Sequence, residues 1–341
     1  MSRRRVNAMV RCCPTVWVVA ATAMAGAVAV ADEAPSPPTA PRTHVLVVSK
    51  PLVVDPVEMQ KRGADAVRMV ADAAGTSWPE ARIDPLAEDV MTTGQFRGGQ
   101  VTEKVTGAIF RERVQTLATA VAPHDMVIIY THSHGRRDGF EEAQPLGGIV
   151  VDLPVRRPSH GGTLLWDEYA DLILEIPARN VIVLTMSCFA GGLVEYLESE
   201  PVRQRWQDRR EKEGRNLIVL TSQNKDLTSE PIVRGRQLVN PFTVAVARAL
   251  AGAADGFRLV DGRPGTPGPE DGAITAGELI DFVLDTTATV VSEMPRRPNT
   301  AQPCVTGSYR RDDVLLEGGG WIVGRPDVSR RAADRSPSIG R

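Results

Sequence analysis

The sequence predicts an α/β fold built on a parallel sheet. Two apolar runs, residues 125–135 and 180–192, stop abruptly at polar, glycine-bearing turns, as buried parallel strands do at their carboxyl ends. Segments with apolar residues at helical spacing precede, separate and follow these runs, so the connections are right-handed crossovers. Beyond residue 31 the chain has about 310 residues, enough for one large domain with a sizeable core.

Residues 1–31 have the pattern of an export signal: arginines at 3–5 and 11, an apolar run over 16–30, and Ala29-Val30-Ala31 as a cleavage site before Asp32. The apolar run is too short for a membrane span, so no stable membrane insertion is expected after signal removal, and the expected location is periplasmic or secreted. Ser2-Arg3-Arg4-Arg5-Val6 is faintly similar to a twin-arginine signal, but an ordinary basic lead is the simpler reading. Residues 32–43 form a proline-rich lead-in, residues 44–310 the folded domain, and 311–341 a C-terminal tail expected to be disordered over 325–341.

Within the domain, residues 44–49 read as the first strand and 57–74 as a helix stopped by Gly75. A weak strand is expected near 81–86, a glycine-punctuated loop over 92–100, and an amphipathic helix over 105–121 that feeds the strand at 125. A long loop over 136–162 and a helix over 164–176 lead to the strand at 180. Gly191-Gly192 opens a helix, residues 198–214 are a densely charged helix surface, and 216–221 form another buried strand. Pro241 suits the first turn of a helix to Leu250; a loop over 252–272, a helix over 276–291 and an edge strand within 298–308 follow.

Without the four signal arginines the chain has 36 Lys and Arg against 42 Asp and Glu, a net charge of −6, which disfavours nucleic acid as partner. Cys12 and Cys13 leave with the signal, so Cys188 and Cys304 do not amount to a disulfide scaffold. A bridge between these two is allowed by count alone, but it would consume the candidate nucleophile.

Cys188 ends an apolar run, and after two intervening residues Gly191-Gly192 begins a helix. A thiol near a helix start has its thiolate stabilised by unpaired N–H groups; the alternative is a small buried hydrophobe. His134 ends the other run, and Gly135 lets the backbone approach a substrate and aim an N–H at a developing oxyanion. The alternative for His134 is a ring satisfying a turn carbonyl. His132 shares its strand face and competes for the role, though His134 lies further out and adjoins the glycine. Cysteine and imidazole brought together at the strand ends make a nucleophile and an acid/base.

His134 lies 54 residues upstream of Cys188, a spacing similar to that in caspases. The chain resembles the caspase-like cysteine peptidases, the group of caspases, metacaspases, legumains and gingipains. The resemblance is carried by His134-Gly135, Ser187-Cys188-Phe189-Ala190-Gly191-Gly192, the 216–221 strand ending at Ser222, and residues 240–250 and 271–279. It implies a three-layer, six-stranded, mostly parallel sheet with helices on both faces, and a Cys188/His134 dyad acting on peptide or protein substrates without a cofactor. It also implies N–H groups of Gly135 and Cys188 as the oxyanion donors.

Metacaspases and legumains resemble each other in carrying an acid two residues before the nucleophile, where this chain has Met186. Asp226 is then a candidate replacement carboxylate for a basic substrate residue, and Ser222 a candidate pocket wall; a solvent-facing loop Asp is the plain alternative. Self-cleavage near Arg209-Arg210 is a further expectation from the resemblance.

Two other enzyme or ion-binding patterns and one non-enzyme reading compete. His132-Ser133-His134-Gly135-Arg136-Arg137-Asp138 is similar to a metallo-β-lactamase-like opening, but its aspartate is displaced and only His160 follows, too few ligands for zinc. Asp271 to Glu278 has the outline of an EF-hand tail without the preceding ligands, so a helix cap is the better reading. A caspase-like fold used as a binding or scaffold module is the non-enzyme alternative.

Overall fold

Strand β1 (Thr43–Lys50) is buried at every position, as its run of valines and leucine demands when both faces of a sheet are covered. The computed structural model describes residues 41–50, 57–87, 95–96, 99–100, 105–137, 148–150, 163–229, 232–234, 237–261, 263–292, 302–308, 311–312 and 314–317. These belong to one compact unit beginning at Pro41. The proposed signal, most of the lead-in, most of the 136–162 loop and the 325–341 tail lie outside the described residues. No helix among the described residues is long and apolar enough to cross a membrane.

After β1 come α1 (Val57–Ser77), β2 (Arg82–Ala87), α2 (Gly107–Ala120), β3 (Met126–Ser133) and α3 (Trp166–Leu174). Then follow β4 (Asn180–Met186), α4 (Gly191–Glu198), α5 (Val202–Glu213), β5 (Asn216–Thr221), α6 (Pro241–Arg248), α7 (Ala276–Ser292) and β6 (Cys304–Ser308). They form one six-stranded sheet in the order β6-β5-β4-β3-β1-β2, parallel throughout except at the β5/β6 edge. This is the parallel α/β sheet that the sequence predicts, with the six strands and the helices on both faces that the resemblance implies.

Alternation along the strands divides the core. Val45, Val47, Ile128, Tyr130, Ile182, Leu184 and Leu220 face α1, α6 and α7, meeting Val67, Val70, Phe242, Val246 and Leu279. Leu46, Val48, Val127, Ile129, Val181, Val183 and Val219 face the other way, against Phe110 of α2, Tyr169 of α3, Leu193 of α4 and Trp206 of α5. Phe110 and Tyr169 meet edge to face with centroids 5.5 Å apart, a favoured aromatic geometry.

Asp125 ties together the amino ends of three strands. Its carboxylate accepts from Arg42 N and Ala122 N, each at 2.9 Å, and lies 3.3 Å from His44 Nε2. Its carbonyl accepts from Arg179 N at 3.0 Å. Burial alone would raise the Asp125 pKa, but the hydrogen bonds from Ala122 and Arg42, with His44, bring it below the ordinary carboxylate value. A depressed folded pKa stabilises the fold above about pH 4, and that contribution fades as pH falls through the folded value. Asp125→Asn is expected to cost about 1–3 kcal/mol at neutral pH in urea unfolding and to flatten the acid limb of stability; an unchanged midpoint would refute the clasp.

Several local boundaries differ from the expectation for physical reasons. α1 does not stop at Gly75 but runs to Ser77, because Ala71, Ala74 and Trp78 are buried and Ser77 Oγ donates to Leu250 O at 2.6 Å. Packing there outweighs the low helix propensity of one glycine. α3 starts at Trp166 because Thr163–Leu165 pairs with Gly148–Val150, which in turn pairs with Gly135–Arg136. Within the stretch expected as loop, Gln95–Phe96 pairs with Gly99–Gln100. The folded unit also extends past 310: Val314–Glu317 pairs with Ala273–Thr275, and Arg311 O accepts from Gly277 N at 2.8 Å. The cap reading of the 271–278 stretch is what the structure has, with Glu278 N donating to Thr275 Oγ1 and Thr275 N to Glu278 Oε2.

Candidate active site

β3 and β4 are parallel neighbours, so their carboxyl ends open on the same rim of the sheet, where ligands of open α/β sheets bind. Their last ladder partners are His132 and Met186. His134 and Cys188 each follow two residues later, so imidazole and thiol leave adjacent strand ends at the same level.

Gly135 shows how closely those ends approach. A Cβ built on it would stand 1.7 Å from Cys188 O and 3.2 Å from Cys188 N. Only a residue without a side chain fits there. The turn that follows Cys188 is made by Phe189, whose φ of 57° lies in the left-handed region that bulky residues rarely adopt. Phe189 N donates to Leu227 O at 2.8 Å, and α4 starts two residues later at Gly191, as the sequence predicts. The strand thus reverses into the helix within four residues and leaves Cys188 half-buried at the rim.

Cys188 Sγ accepts from Ser229 N at 3.3 Å and donates to Ser229 O at 3.8 Å. Cys188 and Cys304 are both free thiols; Cys304 sits on β6, where burial pushes its pKa up. His132 is held neutral around pH 7, because burial and, to a smaller degree, repulsion from His134 push its pKa down to about 3. Its Nδ1 is buried with no hydrogen-bond partner among the described residues. A ring so hard to protonate is a poor proton shuttle, which separates His132 from His134 in the role for which the two compete.

The structure places the remaining candidates differently from the expectation. Ser222 is 1% exposed, and its hydroxyl accepts from Ser187 N at 3.2 Å and donates to Ser187 O at 3.1 Å. It clasps the ends of β4 and β5 and is no pocket wall. The Asp226 carboxylate is already taken by Arg137 Nη2 at 2.8 Å in an exposed ion pair, rather than presented for a substrate cation. Met186 is buried, with Sδ 3.5 Å from Ser229 Oγ, so the position two residues before Cys188 carries no charge and faces the core. Arg209 and Arg210 lie inside α5, half-buried, with Arg210 donating to Asn216 Oδ1, a poor setting for self-cleavage. Asp138 and His160 of the metal reading lie outside the described residues, and no group of three His, Cys, Asp or Glu among the described residues could hold a metal ion.

Phe189 and Ser229 were not foreseeable. A phenylalanine in a left-handed turn and a serine in a loop 41 residues beyond the cysteine carry no signal at their own positions. Asn240, whose Nδ2 donates to Ser229 Oγ, shows in the sequence only as a helix start, through the proline that follows it.

No family model matches the chain, and no curated protein matches it. Among solved structures it is similar to caspase-1 from Spodoptera frugiperda, with 12% identity, TM-score 0.46, and coverage of 82% of this chain and 90% of that one. It is likewise similar to the Drosophila initiator caspase Dronc, with 9% identity, TM-score 0.47, and coverage of 81% and 84%. A Geobacter sulfurreducens protein solved as a structural-genomics target shares 15% identity at TM-score 0.45, covering 84% of this chain and 98% of its own.

Proposed function

We propose that the chain is an exported, caspase-like cysteine endopeptidase. The observation that carries this reading is the junction at the ends of β3 and β4, where Gly135 lies against the backbone of Cys188 and His134 precedes it. The Cys188 thiolate attacks the scissile carbonyl carbon, and the carbonyl π electrons move to oxygen, where the N–H groups of Gly135 and Cys188 receive the charge. When the C–N bond breaks, His134 gives a proton to the departing amine, leaving a thioester. His134 then takes a proton from water as it attacks that thioester, and Cys188 departs as thiolate. The negative charge of the mature chain and the signal-like residues 1–31 support a peptide or protein substrate met after export.

Incubation with a panel of fluorogenic peptides varied at the first substrate position tests this directly. Cleavage of at least one peptide, lost when Cys188 is alkylated by iodoacetamide, is expected. A chain that cleaves nothing in the panel, or whose cleavage survives complete alkylation, would be a binding module on this fold or a hydrolase of another kind.

A further inference from the structure

Ser229 meets the Cys188 sulfur through its backbone, and what holds Ser229 can be traced inward. Its N–H donates to Sγ at 3.3 Å, while its carbonyl accepts from the thiol at 3.8 Å. Asn240 Nδ2 donates to Ser229 Oγ at 2.9 Å. Asn240 is itself 9% exposed and fixed, because its Oδ1 caps α6 by accepting from Phe242 N at 2.9 Å and Thr243 N at 3.4 Å. α6 is pinned to the sheet through Thr243 Oγ1 and Tyr130 OH, 2.6 Å apart and buried. The sulfur is therefore located by two side chains that lead back to a buried helix start.

The two contacts differ in what they favour. A thiol can use both, whereas a thiolate has no proton to give and keeps only the N–H. The N–H contact is the shorter of the two, and a donor aimed at a charged sulfur favours the charged form. We propose that Asn240 and Ser229 are positioning residues for the nucleophile: Asn240 holds Ser229 so that its backbone N–H meets the Cys188 sulfur and favours the thiolate. This rests on the assignment of Cys188 as nucleophile and extends it to residues outside the strand ends.

The pH dependence of Cys188 alkylation tests it without any peptide substrate. Iodoacetamide is applied to the full chain, the thiolate sulfur forms an S–C bond as iodide leaves, and the Cys188 peptide is quantified by mass spectrometry. Ser229→Pro removes the N–H; its midpoint is expected to move up by about one pH unit, with alkylation on the acid side about tenfold slower and an unchanged plateau at high pH. Asn240→Ser keeps a helix cap but cannot reach Ser229, and Ser229→Ala keeps the N–H but loses its anchor. Both are expected to shift the midpoint the same way, with roughly threefold slower alkylation on the acid side. A Ser229→Pro midpoint equal to the wild type, or a change confined to the plateau, would overturn the proposal. An unshifted Asn240→Ser beside a shifted Ser229→Pro would remove Asn240 from it. A chain that shows these shifts but cleaves no peptide loses the peptidase reading and keeps the thiolate one; cleavage with unshifted midpoints does the reverse.

Discussion

Gly135→Ala is expected to abolish most peptide hydrolysis and to destabilise the fold. The added methyl would fall 1.7 Å from Cys188 O and 2.7 Å from Cys188 C, both backbone atoms that cannot rotate away. The ends of β3 and β4 must then separate, which costs on the order of 3 kcal/mol by the usual scale of overpacking. A displacement of about 1 Å between His134 and Cys188 lowers the rate on the order of 100-fold. Thermal unfolding and initial rates on a cleaved peptide measure the two effects. A variant with wild-type stability and rate would show that the strand ends do not meet as described.

Cys188→Ala is the larger effect on chemistry. Removing a covalent nucleophile from a peptidase costs on the order of 10⁶-fold, a scale set by serine peptidases. Neither flanking side chain replaces it, since the buried Ser187 hydroxyl donates to Cys188 O at 3.2 Å and Phe189 is apolar. In the proposed mechanism His134→Ala leaves the nucleophile but removes the proton donor to the leaving amine, so a smaller loss of roughly 10²–10⁴-fold is expected. His132→Gln should cost less than either. Rates measured on the same peptide, with circular dichroism to verify folding, rank the three. Equal losses at 132 and 134, or activity retained in Cys188→Ala, would contradict the roles given.

The sheet was legible because its strands are short, apolar and unbroken: 216–221 is both the expected run and the observed β5. α1 runs past the stop expected at Gly75 because the groups that hold its last turn, Leu250 O among them, lie far away in sequence. The strands in the long loop were illegible for the same reason, since Gly148–Val150 gains its pairing from residues on either side that no local pattern joins. At the rim, His134, Gly135 and Cys188 could be singled out because each ends a buried run. Ser222 and Asp226 could be noticed but not interpreted. Whether a hydroxyl faces a pocket or a neighbouring strand, and whether a carboxylate meets Arg137 or a ligand, depends on contacts between distant segments.

The uncharged ring of His132 links folding to pH. An unfolded chain takes up a proton at such a ring near pH 6.5, whereas the folded one resists until about pH 3. Between those values unfolding absorbs a proton, so souring the medium works against the native state and alkali spares it. Asp125 pulls in the same direction at the lower end of that window. The half-buried imidazole one pleat below the rim therefore contributes stability that is present at neutral pH and lost toward acid.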